Sequence, residues 1–290
     1  MKKSRTLGLE PYLFILPLAA LLFGVLGTPI VNLFKFSFGD SNVIQGYTGW
    51  NNFENYKYLA TDEFRGTLIT TIVWVVFGVL GVVFVGMAVS LALNKPFRGQ
   101  SFVRALVIVP WVVPHAFAGV MWTWVLHPQF GILNELLVRL GLTDAPISFL
   151  GPDTALAMVI IVRIWQGTPF MIITMTAALS TVSEELLEAA ELDGAGAIRR
   201  FIHVTLPSIR PVLAISILMI TAWTLQIFDA VFVMTSGGPG RATRIIALDI
   251  YNKVFIENDL GGGAAIAVVT LLVVALIGWV ALKKQEQNDG

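Results

Sequence analysis

The chain has 290 residues, 56% of them hydrophobic and 13% charged, with nineteen basic and nineteen acidic side chains and no cysteine. A water-soluble domain carries about a quarter charged residues, so this composition belongs to a chain that lives in a bilayer. The zero net charge offers no electrostatic footprint for nucleic acid, and the lack of cysteine excludes disulfides and thiol chemistry.

A bilayer span needs about 20 mostly apolar residues, and six stretches qualify, at 11–36, 66–93, 102–126, 154–180, 211–235 and 261–282. The basic start, Lys2, Lys3 and Arg5, precedes an apolar run longer than the core of a cleavable signal, so the first stretch reads as a retained helix. The expected fold is all-α and polytopic: an N-terminal helix with its outer segment over 1–64, then a five-helix core over 65–290. Lysine and arginine set the orientation. With the N-terminus inside, the inner face collects Lys2, Lys3, Arg5, Lys95, Arg98, Arg104, Arg199, Arg200, Arg210, Lys283 and Lys284. The outer face receives only Lys35, Lys57, Arg65, Arg139, Arg241, Arg244 and Lys253, and both termini are then expected in the cytoplasm.

Between the first two spans, Gly49-Trp50-Asn51-Asn52-Phe53-Glu54-Asn55-Tyr56 is an aromatic cluster of the kind found at a membrane interface. The loop 127–152 holds an amphipathic piece at 132–140, and Trp111, Trp122 and Trp124 also suit interfaces. Small residues in the second span (Gly78, Gly86, Ser90) and the sixth (261–265) permit close helix contacts.

One polar stretch, 183–207, interrupts the fourth and fifth spans and reads as two short helices joined at glycine. Ser183 stands at an N-cap position, Glu184 and Glu185 follow in the first turn, and Gly194 is placed to end the first helix. Arg199, Arg200 and His203 give the second helix a basic side, and Pro207 and Pro211 are expected to close it. This stretch resembles the "EAA" loop of permease subunits of binding-protein-dependent ABC importers, in Glu188-Ala189-Ala190, Asp193-Gly194-Ala195, Phe201, Leu206-Pro207 and Pro211. That family often has proline where Ser183 stands, and a serine cap can fill the same role.

A second segment, Thr235-Ser236-Gly237-Gly238-Pro239-Gly240-Arg241-Ala242-Thr243, resembles the "T-x-G-G-P-x-x-A-T" loop of the maltose/glycerol-phosphate group and its F-like partner. Tyr251, Phe255, Asp259-Leu260-Gly261 and Ala264-Ala265 continue the likeness. The resemblance implies a MetI-like permease core with a cytoplasmic two-helix coupling loop at 181–211. It implies partners too: two ATPase subunits, a second, G-like permease and a periplasmic or lipid-anchored solute-binding protein. ATP and Mg would sit on the ATPases, with no cofactor on this chain, in a bacterial or archaeal cytoplasmic membrane. The implied solute is a sugar, above all a di- or oligosaccharide, or a related polyol or glycerol phosphoester.

Ionisable groups at bilayer depth cost about 2.5–3.5 kcal/mol each on insertion scales and are usually paired or functional. His115, Arg163 and Asp229 fall inside the predicted spans. An Arg163–Asp229 ion pair is one expectation; the other is that both, with Trp165, Gln166, Gln226 and Phe228, line a solute path. No phosphate-cradling Gly-x-x-x-x-Gly-Lys-Ser/Thr, His-Glu-x-x-His or Gly-x-Ser-x-Gly occurs, so the chain does not read as an enzyme or a metal protein. The alternative, a stand-alone ion-coupled secondary transporter, predicts inverted repeats and a carboxylate-rich midplane, and neither is visible.

Overall fold

A computed structural model describes residues 10–289. Lys2, Lys3 and Arg5 lie outside the described residues, as does the side chain of Lys284. The described residues form two compact units, one drawn from 10–61 and 250–273 and one from 62–249 and 274–289.

In the first unit, α1 (Glu10–Ser37) leads into a hairpin of β1 (Gly39–Asn42) and β2 (Gly46–Trp50), paired antiparallel with Gly39 opposite Trp50 and Asn42 opposite Gly46. The hairpin is an addition to the all-helical expectation. Asn55 fastens it by donating its amide to the carbonyls of Ser37 (3.0 Å) and Gly39 (2.9 Å), and the Tyr56 hydroxyl reaches Ser37 Oγ at 2.9 Å. Phe38, Trp50, Phe53 and Tyr56 form the anticipated aromatic cluster, with Phe38 and Trp50 stacked at 5.5 Å. The start of α12 (Leu260–Asp289) packs here through glycine: a side chain on Gly261 would meet Asn55 Nδ2 at 2.5 Å and Gly39 O at 2.8 Å.

The second unit is built on α2 (Asp62–Leu93) against α6 (Ala155–Leu179). Their close approach has a sequence cause. A Cβ on Gly86 would lie 2.5 Å from Met171 Cβ, and one on Gly81 would collide with Ile164. Trp74, Val159, Val162, Val231 and Leu248 fill one apolar cluster, and Val82, Met171, Met175, Ile209 and Ile220 fill another.

Among the described residues, five helices are long and apolar enough to cross a membrane, six if one bent pair counts as a single span. The bent pair corrects the predicted third span. It is α3 (Gln100–Val112) and α4 (His115–Val125), meeting at 102°. Pro114 disfavours helical geometry at the residue before it, and Val113 is extended at φ −74, ψ 121.

The predicted fifth span is also corrected, at both ends. α8 (Ala197–Arg200) passes through a π turn (Phe201–Thr205) into α9 (Leu206–Gln226), so one 30-residue helix replaces a short helix closed by proline. Pro207 and Pro211 each remove a helical N–H, and the wider turn just ahead of Pro207 shifts the hydrogen-bond register past it. The span then stops early: Ile227 is extended at φ −67, ψ 119, and α10 (Asp229–Thr235) follows as a separate helix.

Candidate functional site: a polar cleft and a charged elbow

The breaks in α3–α4 and α9–α10 open a cleft of about 350 Å³, lined by Trp111, His115, Arg163, Gln166, Gly167, Phe170, Ile220, Trp223, Gln226, Ile227 and Asp229. Arg163, Gln166, Gly167 and Phe170 stand at i, i+3, i+4 and i+7 on α6, one face of the helix. Ile220, Trp223 and Ile227 repeat that spacing on and just past α9. Phe170 and Trp223 meet edge to face at 4.7 Å, with Trp111 at 6.1 Å from Phe170, so three rings form one apolar wall.

Three polar groups of the lining, His115, Gln166 and Arg163, have positioning contacts. Gln166 Oε1 lies 3.0 Å from His115 Nδ1, and the same amide donates to the Val113 carbonyl at 3.4 Å, strapping the bend between α3 and α4. Arg163 donates its Nε–H to Thr224 Oγ1 at 3.0 Å. Thr224 is held in turn, with its hydroxyl on the Ile220 carbonyl (2.6 Å) and its own carbonyl accepting from Trp74 Nε1 at 3.0 Å. Arg163 is 4% exposed and Gln166 2%, whereas Gln226 and Asp229 are open to solvent.

The cleft therefore gathers Arg163, Gln166, Gln226 and Asp229 of the six residues expected on a solute path, but not Trp165 or Phe228. Trp165 sits two residues from Arg163, on another face of α6, and packs edge to face on Trp122 at 5.6 Å. Phe228 stacks on Phe232 at 4.9 Å and joins the apolar core. The expected Arg163–Asp229 ion pair does not form, because the chain breaks at 227–228 and Arg163 is drawn to Thr224 instead. Trp111, Phe170 and Trp223 complete the cleft without having been singled out for it. The helical spacing of Phe170 from Arg163 was the readable signal.

The second feature is the elbow. α7 (Glu184–Leu192) starts after Ser183, whose backbone is extended as a cap requires though its hydroxyl makes no capping bond. It ends in a Schellman motif: Ala195 N donates to Ala190 O at 2.9 Å, Gly194 N to Glu191 O at 3.0 Å, and Gly194 takes φ +79. Glu191 and Arg200 then bridge the two arms. Between the arms lies a groove of about 460 Å³ lined by Ala190, Ala195, Arg199, Arg200, His203 and Val204. Glu188, Ala189, Asp193 and Pro207 are exposed, while Phe201 and Leu206 are half-buried. Leu192 and Ile198 stand 89% and 77% exposed on either side of the turn. Glu191 and Asp193 flank Leu192 in sequence, and Arg199 follows Ile198.

A third cluster holds the 236–249 segment against α2. Asp249, fully buried, accepts from Arg244 Nε at 2.9 Å and Arg241 Nη2 at 3.3 Å, and Arg241 also pairs with Glu63. Sequence reasoning counted the two arginines as loop charges and passed over Asp249.

Residues 83–283 match the family model described as binding-protein-dependent transport system inner membrane component. The sulfoquinovosyl glycerol transport system permease protein SmoG of Agrobacterium fabrum is 36% identical over 259 residues, covering 89% of this chain and 84% of that protein. The diacetylchitobiose uptake system permease protein DasB of Streptomyces coelicolor is 35% identical, covering 99% and 90%. The trehalose/maltose transport system permease protein MalF of Thermococcus litoralis is 32% identical, covering 94% and 92%. A chain of a bacterial ABC transporter involved in the import of the acidic polysaccharide alginate shares the fold, with a TM-score of 0.76 at 20% identity over 96% of this chain and 95% of its own. With its apolar spans, broken helices and charged elbow, the chain belongs to the binding-protein-dependent transport system inner membrane component family and is a multi-pass permease subunit of an ABC importer.

Proposed function

We propose that this chain passes a sugar along the cleft between α3, α4, α6, α9 and α10, and takes its energy from ATPase subunits seated on the elbow 183–207. The observation that carries the reading is the elbow itself. Its turn is fixed by Gly194, its arms are bridged by Glu191 and Arg200, and Leu192 and Ile198 project from it uncovered. A rigid, exposed projection continuous with the 30-residue helix 197–226 turns a push at its tip into tilting of a wall of the cleft.

The solute class follows from the cleft and the relatives together. An aromatic wall beside amide and charged groups suits a sugar, whose C–H face packs on rings while its hydroxyls hydrogen-bond. SmoG, DasB and MalF are described as permeases for sulfoquinovosyl glycerol, diacetylchitobiose and trehalose/maltose. A di- or oligosaccharide is the leading solute. The assembly comprises two ATPases that bind ATP and Mg, a second, G-like permease, and a periplasmic or lipid-anchored binding protein. Residues 1–64 form the outlying part and 65–290 the permease core, with both termini and the loop 181–211 in the cytoplasm. The chain itself catalyses no reaction.

The test is uptake of a labelled disaccharide in cells carrying the complete importer, with and without the gene for its ATPase. Uptake should fall to background without the ATPase. Undiminished uptake would favour an ion-driven carrier instead.

A further inference from the structure

We infer that the solute carries a negative charge and that Arg163 is the residue that reads it. The inference rests on the proposal that the cleft is the solute path, and it adds the charge of what passes.

Arg163 is 4% exposed, lies within the 25-residue apolar helix Ala155–Leu179, and has no carboxylate within 4.0 Å among the described residues. A buried guanidinium is normally paired, because an unpaired charge in a low-dielectric site is costly. Among the described residues its single hydrogen-bond partner is Thr224 Oγ1, a neutral hydroxyl engaged by Nε alone. That contact fixes the direction of the side chain and leaves the Nη1 and Nη2 donors uncommitted. Those donors stand where the cleft wall has been cut back: a Cβ on Gly167 would lie 2.6 Å from Nη1. Glycine at 167 thus gives the guanidinium its place on the cleft.

The other charged or titratable cleft groups do not neutralise it. His115 is engaged with Gln166, and Asp229 is solvent-exposed and beyond ion-pair distance. What remains is a planar pair of N–H donors, buried and aimed by Thr224, beside an aromatic wall. Such a fork fits the two oxygens of a carboxylate or of a sulfonate or phosphate ester. The ligand chemistry is an acidic group on a sugar body.

Equilibrium dialysis on the purified importer, without its binding protein, tests this with matched probes: cellobiose, cellobiouronic acid and cellobiose 6-phosphate. The wild type should bind the acidic probes about tenfold or more tightly than cellobiose, the worth of a charge-assisted hydrogen bond. Arg163→Gln should weaken binding of the acidic probes about tenfold or more beyond any loss of cellobiose binding, and Arg163→Lys should keep part of the preference. The two acidic arms distinguish a carboxylate from a phosphate ester. Equal affinity for neutral and acidic probes in the wild type, or a preference that survives Arg163→Gln, would overturn the charge assignment and leave the sugar path standing. No binding of any probe by the wild type would overturn both. If Arg163→Gln loses cellobiose as well, ionic strength decides on wild type: a preference that fades with salt supports the inference, and one that does not overturns it.

Discussion

Arg244 donates its Nε–H to Asp249 across 2.9 Å, and that carboxylate has no solvent-exposed surface. Arg241 adds a second donor to the same oxygen at 3.3 Å. Two guanidiniums from one loop therefore converge on one buried acid, which fixes 236–249 as a shaped segment. Removing the acid takes a buried carboxylate from Arg244 and one of its two carboxylates from Arg241, so Asp249→Ala should cost about 3–5 kcal/mol in unfolding of the purified chain. Glu63, 47% exposed and paired with Arg241, makes the contrast: Glu63→Gln should cost less than about 1 kcal/mol. Equal losses in the two variants would mean that burial does not set the strength of this network.

The elbow makes a different prediction, because its turn depends on backbone conformation and not on packing. Gly194 sits at φ +79 with nothing within 4 Å of a would-be Cβ. Gly194→Ala should cost only about 1 kcal/mol, the left-handed penalty, and leave coupling intact. Gly194→Pro cannot adopt that φ and removes the N–H that bonds Glu191. ATP hydrolysis by the assembled importer should then continue while uptake falls by tenfold or more, a ratio obtained from parallel assays in proteoliposomes (about 1.4 kcal/mol of lost coupling).

Two tryptophans, Trp223 of the cleft lining and Trp165 outside it, should behave differently. Trp223 lines the cleft beside Phe170, whereas Trp165 packs on Trp122 and is not among the cleft residues. Trp223→Ala should reduce uptake by about fivefold to tenfold, the value of one aromatic contact. Trp165→Phe should leave uptake near wild type at equal membrane abundance. The reverse ranking would place the path on the other face of α6.

The α2–α6 contact predicts a stability contrast between two glycines. Gly86→Ala would put a methyl 2.5 Å from Met171 Cβ and should lose about 1–3 kcal/mol to overpacking. Gly66, in the same helix with nothing within 4 Å, should gain about 0.5–1 kcal/mol on the same substitution. Thermal melts of the two variants in one detergent check the sign of each.

These contrasts also mark what the chain disclosed before folding. The elbow was legible because its signals are local: an N-cap at Ser183, acids in the first turn, and Gly194 where a Schellman motif needs a left-handed residue. The π turn at Phe201–Thr205 was not, since nothing in its composition distinguishes it from α-helix, and Pro207 and Pro211 therefore read as a stop. The bend at Val113 had a signal in Pro114. The break at Ile227 had none, for neither glycine nor proline marks it, and so Asp229 was placed on a continuous helix. Trp111 and Trp223 meet Phe170 only after both breaks form, a long-range outcome that no local pattern carries. Asp249 lay outside the predicted spans, and its meaning depended on two arginines folding back onto it.

The absence of native cysteine makes the central claim directly accessible, because a single introduced thiol is the sole reactive sulfur in the chain. Leu192→Cys places that thiol on the elbow at a position that is 89% exposed. In intact cells it should resist a membrane-impermeant maleimide, and in inverted vesicles it should crosslink to the ATPase subunit with a yield that changes on adding ATP. Labelling from outside intact cells, or inverted vesicles in which no ATPase adduct forms, would contradict the account.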